Sequence, residues 1–267
     1  KQAMIPSGAE VITNPVGTAP AFILHKNGKT MVCLPGVPRE MEYLLQTSVL
    51  PWLRNKHNLN GIIKARVLHT AGVPESKVDD LIADLEELKN PTVGLSAHPG
   101  IVDIRITAKS ESKEEADRMI QDVEDVVRQR LGSDIFGADG ETLPESVMRS
   151  LSLTHREVVV LVSGFSDNAF EIIQHKKLQW ITNPSEDWKT AVAKLRQTGN
   201  THFTFRYQST PATATLWADY RNGKNTIEMK REYPGAEGLR EEWAKHTSLN
   251  FMRQQLISNH FPEEKND

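Results

Sequence analysis

The sequence predicts a chain that combines α/β and α+β architecture. Three observations indicate this class. Two Gly/Pro-rich loops bracket a short apolar strand near the N-terminus, a β-α-β-β-α-β order occupies the middle, and a fully apolar strand lies in the last part. At 267 residues the chain is long enough for more than one compact core. We expect three segments, covering residues 1–50, 51–140 and 141–267.

The first segment alternates short strands with loops. The predicted elements are strands at Val11–Ile12, Ala21–His25 and Thr30–Leu34, a tight turn at Asn27-Gly28, and a helix from Pro38 towards Leu45. Three short strands and one helix are too little to fold alone, so we expect the end of a larger α/β domain. The chain begins at Lys1 and not at Met, and we expect it to be part of a longer protein.

The middle segment carries a complete β-α-β-β-α-β order. The predicted elements are strands Ile63–His69, Thr92–Ala97, Ile101–Ala108 and Asp134–Phe136, and helices Glu75–Leu88 and Lys113–Leu131. Apolar and polar residues alternate from Val102 to Thr107, which predicts one buried and one wet face. Ser112 is placed to cap the second helix, with Glu115 in the capping-box position and Gly132 at the end. This order is typical of a split βαβ, ferredoxin-like sandwich.

The last segment predicts a second α/β domain. Its first strand, Val158–Val162, is apolar throughout, which is typical of a buried parallel strand. Ser185 is placed to cap a helix, Asn222-Gly223 suits a hairpin turn, and the tail after His260 is polar. The remaining predicted elements are helices Pro144–Leu153, Ala169–His175, Glu186–Gln197 and Leu239–Ile257, and strands Thr201–Tyr207, Ala212–Tyr220 and Thr226–Glu232.

Composition excludes several classes of protein. The formal net charge is -3 and Lys/Arg residues form no block, so no electrostatic footprint for nucleic acid or an anionic membrane is present. No apolar run approaches the ~20 residues that a transmembrane helix needs. Cys33 is the single cysteine, which excludes an internal disulfide framework and a Cys-based zinc site. We therefore expect a cytoplasmic protein that binds neither nucleic acid nor membrane.

Two loop motifs carry a family resemblance. The runs NPVGTAPAF at Asn14–Phe22 and CLPGVPREM at Cys33–Met41 together resemble the CinA family (competence/damage-inducible protein A). More broadly, they are similar to MoaB/MogA-like domains, which bind molybdopterin or nucleotide-type ligands. The middle segment resembles the family's KH-like domain, and Glu141-Thr142-Leu143 before a helix resembles the entry to its C-terminal nicotinamide-nucleotide amidase domain. The resemblance implies the remnant of a MoaB/MogA-like domain, a KH-like βαββαβ sandwich and a degenerate amidase-like domain.

The resemblance also implies an activity, a cofactor and site residues. The family's N-terminal domain is associated with metal-dependent ADP-ribose pyrophosphatase activity, which implies a nucleotide-type ligand, a divalent metal ion and, for the assembly, a homodimer. Glu40 is the predicted catalytic residue. The predicted ligand-binding residues are Asn14, Gly17, Thr18, Pro35 and Gly36. The family's other Gly-rich phosphate-binding segment does not occur in this chain, so we predict that the chain alone is inactive. The alternative is that Gly and Pro only shape the loops, with Glu40 in a favourable first helical turn.

The amidase motif is not retained. The strand Val158–Val162 is followed by SGFSDNAF, which places Gly164 where the family has its serine nucleophile. Ser163 or Ser166 fits only after a shift of register, and Lys189 is a loose match to the family's lysine. A serine nucleophile needs a base and an oxyanion cradle, and neither is recognisable. Two hypotheses remain open, an inactive amidase fold kept for dimerisation and, disfavoured, an active nicotinamide mononucleotide deamidase.

Two further motifs have a structural and a functional interpretation. His69 and His98 both lie at strand ends, which would suit a metal site, although no His-x₃-His spacing supports one. Surface or loop histidines are the favoured interpretation. The KH-like topology suggests RNA binding, but no GXXG loop with basic flanks opens a helix, so we predict no nucleic-acid partner.

Overall fold

The computed structural model describes residues 4–57, 61–223 and 225–258. It is a mixed α/β protein with three separate sheets, which confirms the predicted fold class. The chain divides into two compact units, residues 1–62 and 63–267, and the second unit holds both the middle and the C-terminal segments. The division into three domains stays a prediction. The polar tail predicted after His260 lies outside the described residues.

The N-terminal unit contains a three-stranded antiparallel sheet in the order β1-β2-β3. The strands are β1 (Glu10–Ile12), β2 (Ala21–Lys26) and β3 (Lys29–Cys33), as the sequence predicts to within one residue. Ala21, Ile23, Leu44 and Val49 form its buried apolar positions. Since β1 and β3 both run antiparallel to β2, they are parallel to each other and end at the same edge of the sheet.

The helical path after β3 is longer than predicted. Helix α1 (Pro38–Leu44) starts as expected, but a π-helical turn (Leu45–Val49) carries the chain into α2 (Leu50–His57). Pro51 has no N–H to donate to a carbonyl one turn earlier, which accounts for a local change of helical hydrogen bonding at this point. The predicted end near Leu45 is therefore the end of α1 only.

The middle segment has the predicted β-α-β-β-α-β order. Its four-stranded sheet has the order β5-β6-β4-β7, which is the strand order of a ferredoxin-like sandwich. The elements are β4 (Ile62–Ala71), α3 (Glu75–Glu86), β5 (Thr92–His98), β6 (Ile101–Ser110), α4 (Lys113–Leu131) and β7 (Ile135–Ala138). Apolar residues of both helices pack on Leu68, Ile104 and Ile106, which are fully buried.

Helix α4 begins and ends where the sequence predicts. The Ser112 side chain accepts a hydrogen bond from the Glu115 amide at 3.2 Å, and Gly132 follows the last turn with a φ of 50°. The Glu115 carboxylate accepts from the Ser110 hydroxyl, not from the Ser112 amide. The capping box is therefore only half formed.

The C-terminal segment contains a five-stranded mixed sheet in the order β12-β11-β10-β8-β9. The strands are β8 (Val158–Ser163), β9 (Leu178–Thr182), β10 (Thr201–Ser209), β11 (Ala214–Asn222) and β12 (Asn225–Tyr233). As predicted, β8 is buried and parallel to both of its neighbours. Helices α5 (Leu143–Leu153) and α7 (Arg240–Ser258) cover one face, and α6 (Trp188–Gln197) packs on β8 on the other.

Two predictions for this segment are wrong. No helix forms over Ala169–His175, because the chain there makes isolated turns closed by hydrogen bonds such as that from Ile173 N to Phe170 O at 3.0 Å. Asp187, not Ser185, caps α6, since its carboxylate accepts from the amides of the first helical turn. Strand β9 was not predicted.

Helix α7 joins the C-terminal segment to the middle segment through buried polar contacts. The Asn250 amide donates to the Ala71 carbonyl at 2.6 Å, and the Arg253 guanidinium donates to Asn250 Oδ1 and to the Ser133 carbonyl. Burial lowers the pKa of Arg253 to about 10, with nearby Asp134 opposing that effect. None of the helices in the described ranges is long and apolar enough to cross a bilayer.

Candidate functional site

Strand direction brings the two N-terminal loops together. Ile12 at the end of β1 pairs with Ala21, and Cys33 at the end of β3 pairs with Phe22. The loop that follows each strand therefore starts beside the first residues of β2. The first loop carries Asn14 and the second leads into α1, whose first turn carries Glu40.

Asn14 links the loops through Glu40. Its side-chain amide donates to Glu40 Oε2 at 2.7 Å and to the Ala19 carbonyl at 2.9 Å, while its Oδ1 accepts from the Val16 amide at 3.1 Å. The last contact is an Asx-type turn, which fixes the Asn14 side chain within its own loop. One carboxylate oxygen of Glu40 is thus held in place, and Oε1 has no hydrogen-bond donor among the described residues.

Gly17 lies directly against the Glu40 carboxylate. A Cβ atom at position 17 would overlap all three atoms of that carboxylate group, whereas the backbone of Gly17 is not in a left-handed conformation. The glycine is needed for close approach and not for an unusual turn. No sequence pattern could show that the approaching group is Glu40.

The other predicted site residues do not contact Glu40 by hydrogen bonds. Thr18 and Gly36 are exposed, and open space surrounds the position that a Cβ of Gly36 would take. Pro35 is buried, so it contributes to the shape of its loop. The structure brings together Asn14, Gly17 and Glu40, and ligand contacts of the remaining three stay predictions. Sequence reasoning missed the Ala19 carbonyl, whose role depends on the Asn14 rotamer.

These residues do not by themselves make a metal site. Within the described residues no group of three or more His, Cys, Asp or Glu side chains is arranged to hold a metal ion. Glu40 Oε1 has no hydrogen-bond donor among the described residues, while Oε2 accepts from Asn14 and Asn14 Oδ1 accepts from a backbone amide. Mg²⁺ is commonly held by one or two carboxylates with water and substrate phosphate oxygens, and Glu40 would supply one such carboxylate.

The position expected for an amidase nucleophile is closed. Gly164 has a φ of 87°, and a Cβ there would overlap the backbone carbonyl of Tyr207 in β10. The Gly164 amide donates to Asn183 Oδ1 at 3.0 Å. Ser166, the alternative after a shift of register, donates its hydroxyl to Glu241 at 2.5 Å. Gly164 therefore occupies a position that accepts no side chain, and the carboxylate of Glu241 is the acceptor for Ser166.

A serine and a histidine do lie together elsewhere, but their hydrogen bonds are unsuitable for nucleophilic catalysis. Ser152 Oγ is 3.3 Å from His175 Nε2, and the Lys177 amide donates to His175 Nδ1 at 3.2 Å. Because Nδ1 accepts, neutral His175 carries its proton on Nε2 and donates towards Ser152. The Ser152 hydroxyl donates to the Met148 carbonyl at 2.9 Å. His175 in this state cannot remove a proton from Ser152.

His69 and His98 meet at one carboxylate and not at a metal site. Asp103 Oδ1 lies 2.7 Å from His69 Nδ1, and Asp103 Oδ2 lies 3.3 Å from His98 Nε2. His69 Nε2 lies 2.7 Å from the Asp139 carbonyl, so acceptors face both ring nitrogens of His69. Burial lowers the pKa of His69, but the contacts with Asp103 and Asp139 outweigh burial and leave that pKa raised above 6.5.

This arrangement predicts a pH-dependent contribution to stability. A His whose pKa is raised in the folded state stabilises fully below its unfolded pKa of about 6.5, and the contribution is lost as pH rises through the folded pKa. We expect His69→Gln to lower the unfolding free energy most below pH 6.5, with a smaller difference from the unmodified protein at higher pH. Urea unfolding between pH 5.5 and 8.5 measures this difference. His57→Gln, at an exposed ring, is the control, and an equal loss at every pH would contradict the assignment.

Comparison with known proteins gives the following matches. Residues 65–137 match the family model of the damage-inducible protein CinA KH domain. A protein of Halothermothrix orenii named as competence-damage inducible is 39% identical over 152 residues, which cover 57% of this chain and 36% of the relative. A protein of the same name from Clostridium botulinum strain 657 is 44% identical over 152 residues, which again cover 57% of this chain and 36% of the relative. A CinA-like protein of Synechococcus sp. RCC307 is 40% identical over 61% of this chain and 39% of its own length.

The chain spans little more than a third of the length of these relatives. The match to a formyltetrahydrofolate deformylase from Pseudomonas putida covers 74% of this chain and 94% of the deformylase at 9% identity, but its TM-score of 0.17 is too low to indicate a shared fold. The matched family model falls on the βαββαβ segment described above.

Proposed function

We propose that this chain forms part of an enzyme that hydrolyses a nucleotide pyrophosphate, since its residues 65–137 match the CinA KH domain model and its relatives are named competence-damage inducible or CinA-like proteins. The observation that supports this proposal is the convergence of Asn14, Gly17 and Glu40 at the edge of the N-terminal sheet. ADP-ribose is the substrate that the family resemblance favours. The catalytic protein is the longer one that we expect to contain this chain.

In the proposed reaction Glu40 acts on the attacking water. A bond forms between the water oxygen and one phosphorus, the bridging P–O bond breaks, and one proton leaves the water. Glu40 orients the water and accepts that proton through Oε1, because Asn14 holds Oε2. The exposed Gly36 loop gives a pyrophosphate close access to backbone, and the exposed Thr18 hydroxyl offers a donor.

A divalent metal ion belongs to this proposal as the group that neutralises pyrophosphate charge. Glu40 would hold the ion through its carboxylate, with further ligands from substrate phosphate oxygens and water. Treatment of the longer protein with EDTA should abolish hydrolysis, and addition of Mg²⁺ or Mn²⁺ should restore it.

The direct test is hydrolysis of ADP-ribose with added divalent metal, measured for this chain and for the longer protein. We expect turnover in the longer protein only, because one carboxylate and two loops do not make a complete site. Absence of turnover in both proteins would overturn the proposed activity. Turnover in the 267-residue chain would contradict the claim that the site is incomplete.

Replacement of Gly17 by Ala should separate folding from catalysis. The Cβ would meet the end of a flexible side chain, so we expect the Glu40 carboxylate to swing away while the loop keeps its course. The lost Asn14–Glu40 hydrogen bond should lower the unfolding free energy by about 1 kcal/mol. Turnover of ADP-ribose by the longer protein should fall at least tenfold.

The control for this variant is Gly94→Ala, since open space surrounds the Cβ position in β5. It should leave turnover unchanged. Full activity of Gly17→Ala would show that the position of the Glu40 carboxylate does not matter for catalysis.

A second candidate function is assembly. The closed Gly164 position and the Ser166–Glu241 hydrogen bond argue against amidase chemistry. We propose that the C-terminal segment acts instead as a dimerisation module, as the family resemblance suggests. Sedimentation velocity of the chain at increasing concentration tests this proposal. A single monomer species at high concentration would contradict it, whatever the outcome of the hydrolysis assay.

A further inference from the structure

A cleft in the second unit lies on the sheet face that α6 covers only in part. Its volume is about 290 Å³. Helix α6 packs on β8, and its flank forms one wall through Trp188, Val192 and Arg196. Strands β10, β11 and β12 form the floor, with Trp217 and Asp219 projecting from β11 on this face. The cleft shares no lining residue with the Asn14–Glu40 site or with the Gly164 turn.

Asp219 at the floor of this cleft has no partner. Both of its carboxylate oxygens are buried, and neither accepts a hydrogen bond from any residue in the described part of the chain. No Lys, Arg or His nitrogen of those residues lies within 4.0 Å of the carboxylate. Burial raises the pKa of Asp219, although Arg196 and Arg221 oppose that effect. A buried carboxylate without a partner is rare in folded proteins and requires an explanation.

Two residues near Asp219 on the same sheet face, His202 and Arg221, also have a buried polar atom without a hydrogen-bond partner. His202 is 1% exposed and its Nε2 has no hydrogen-bond partner in the described ranges, and the same holds for Nε of Arg221. In the sheet His202 pairs with Arg221, and Asp219 pairs with Thr204 on one side and Glu228 on the other. The polar groups that lack partners therefore lie in adjacent rows of one sheet face. The packing of this chain leaves these polar atoms without hydrogen bonds, which suggests that a ligand supplies the missing partners.

The walls of the cleft suit a flat aromatic ligand. Trp188 and Trp217 are half-buried and line the cleft, and the Arg206 guanidinium carbon lies 5.6 Å from the centroid of the Trp217 ring. Flat heterocycles pack well against such rings. Arg196 is exposed and has no carboxylate within 4.0 Å among the described residues, so it is free to pair with an anion at the mouth.

We propose that this cleft binds a guanine nucleotide. The N1–H and the 2-amino group of guanine form a pair of adjacent donors that matches the two oxygens of Asp219, and the indole rings pack on the base. The phosphate pairs with Arg196. Glu228 and Lys230 also line the cleft, so its charges include one carboxylate besides Asp219 and one cation besides Arg196. The site does not depend on the proposed hydrolase function.

Calorimetric titration of the 267-residue chain with GMP, IMP and AMP tests this proposal. IMP lacks the 2-amino group and should bind at least about tenfold more weakly than GMP, because one donor is lost. AMP presents a ring nitrogen acceptor to the carboxylate and should not bind measurably. Asp219→Asn replaces one acceptor oxygen by a donor and should weaken GMP binding about tenfold or more.

Thermal unfolding of the same variant gives an independent readout. Asp219→Asn removes an unpartnered buried charge, so without ligand it should unfold at a higher temperature than the unmodified chain. Asp122→Asn, at an exposed position of α4, is the matched control and should change neither quantity. Equal binding of GMP, IMP and AMP, or no binding of GMP, would overturn the proposal. A lower unfolding temperature for Asp219→Asn would also overturn it, since it would show an internal partner for the carboxylate.

Discussion

Glu40→Gln in the longer protein should reduce the turnover of ADP-ribose about 100-fold, equivalent to ~2.7 kcal/mol of transition-state stabilisation. The expected loss is large because a neutral amide cannot take a proton from the attacking water. The fold should survive, since the Gln oxygen still accepts from the Asn14 amide, which now donates to Glu40 Oε2 at 2.7 Å. We expect the unfolding free energy to change by less than about 1 kcal/mol. Steady-state hydrolysis and urea unfolding, measured on one preparation, separate the two effects.

The matched control is Glu42→Gln. Glu42 lies on the same helix two residues further on and is exposed, so its replacement should leave turnover intact. Unchanged turnover in Glu40→Gln would remove Glu40 from the catalytic site. A large loss of stability in that variant would instead favour a loop-shaping role, which is the alternative that the sequence leaves open.

Local signals predicted the parts of the fold that depend on neighbouring residues. Helix α4 was predicted to its last residue because Ser112 caps it and Gly132 ends it, and both signals act within one turn. The β-α-β-β-α-β order was predicted because alternation and helical spacing are clear in each element. The meeting of the two N-terminal loops was expected from motif resemblance, and the parallel direction of β1 and β3 gives it a physical cause.

The features that the sequence did not predict depend on contacts between residues far apart in the chain. We predicted a helix over Ala169–His175, but the Asn183 side chain donates to the Phe165 carbonyl and to Asp167 at 3.0 Å each. These contacts hold the start of the segment in turns, and Phe170 and Ile173 are still buried in the core. The buried polar residues around Asp219 could not be predicted either. They alternate with apolar residues along β10 and β11, which is the pattern expected of solvent-exposed residues.

Replacement of Gly164 by Ala should destabilise the second unit by about 3 kcal/mol or more. A left-handed conformation costs a residue with a Cβ about 1–2 kcal/mol, and overpacking against fixed atoms adds roughly 1–3 kcal/mol. The clashing atom is the Tyr207 carbonyl, which belongs to β10, and the neighbouring residue Arg206 pairs with Ser163 of β8. Neither strand can move without disturbing the centre of the sheet. Urea unfolding followed by tryptophan fluorescence measures the loss.

The same argument decides whether the amidase chemistry could be restored by one substitution. Gly164→Ser would place a hydroxyl at the position where the family resemblance expects a nucleophile, yet its Cβ meets the same carbonyl. We expect Gly164→Ser to be as unstable as Gly164→Ala and to release no ammonia from nicotinamide mononucleotide. Gly140→Ala, at an open position with an ordinary backbone, is the control and should retain full stability. If Gly164→Ala were as stable as the unmodified chain, the turn after β8 would have room for a side chain. The chain would then lack the nucleophile only because residue 164 is Gly, and not because the turn lacks room for a serine side chain.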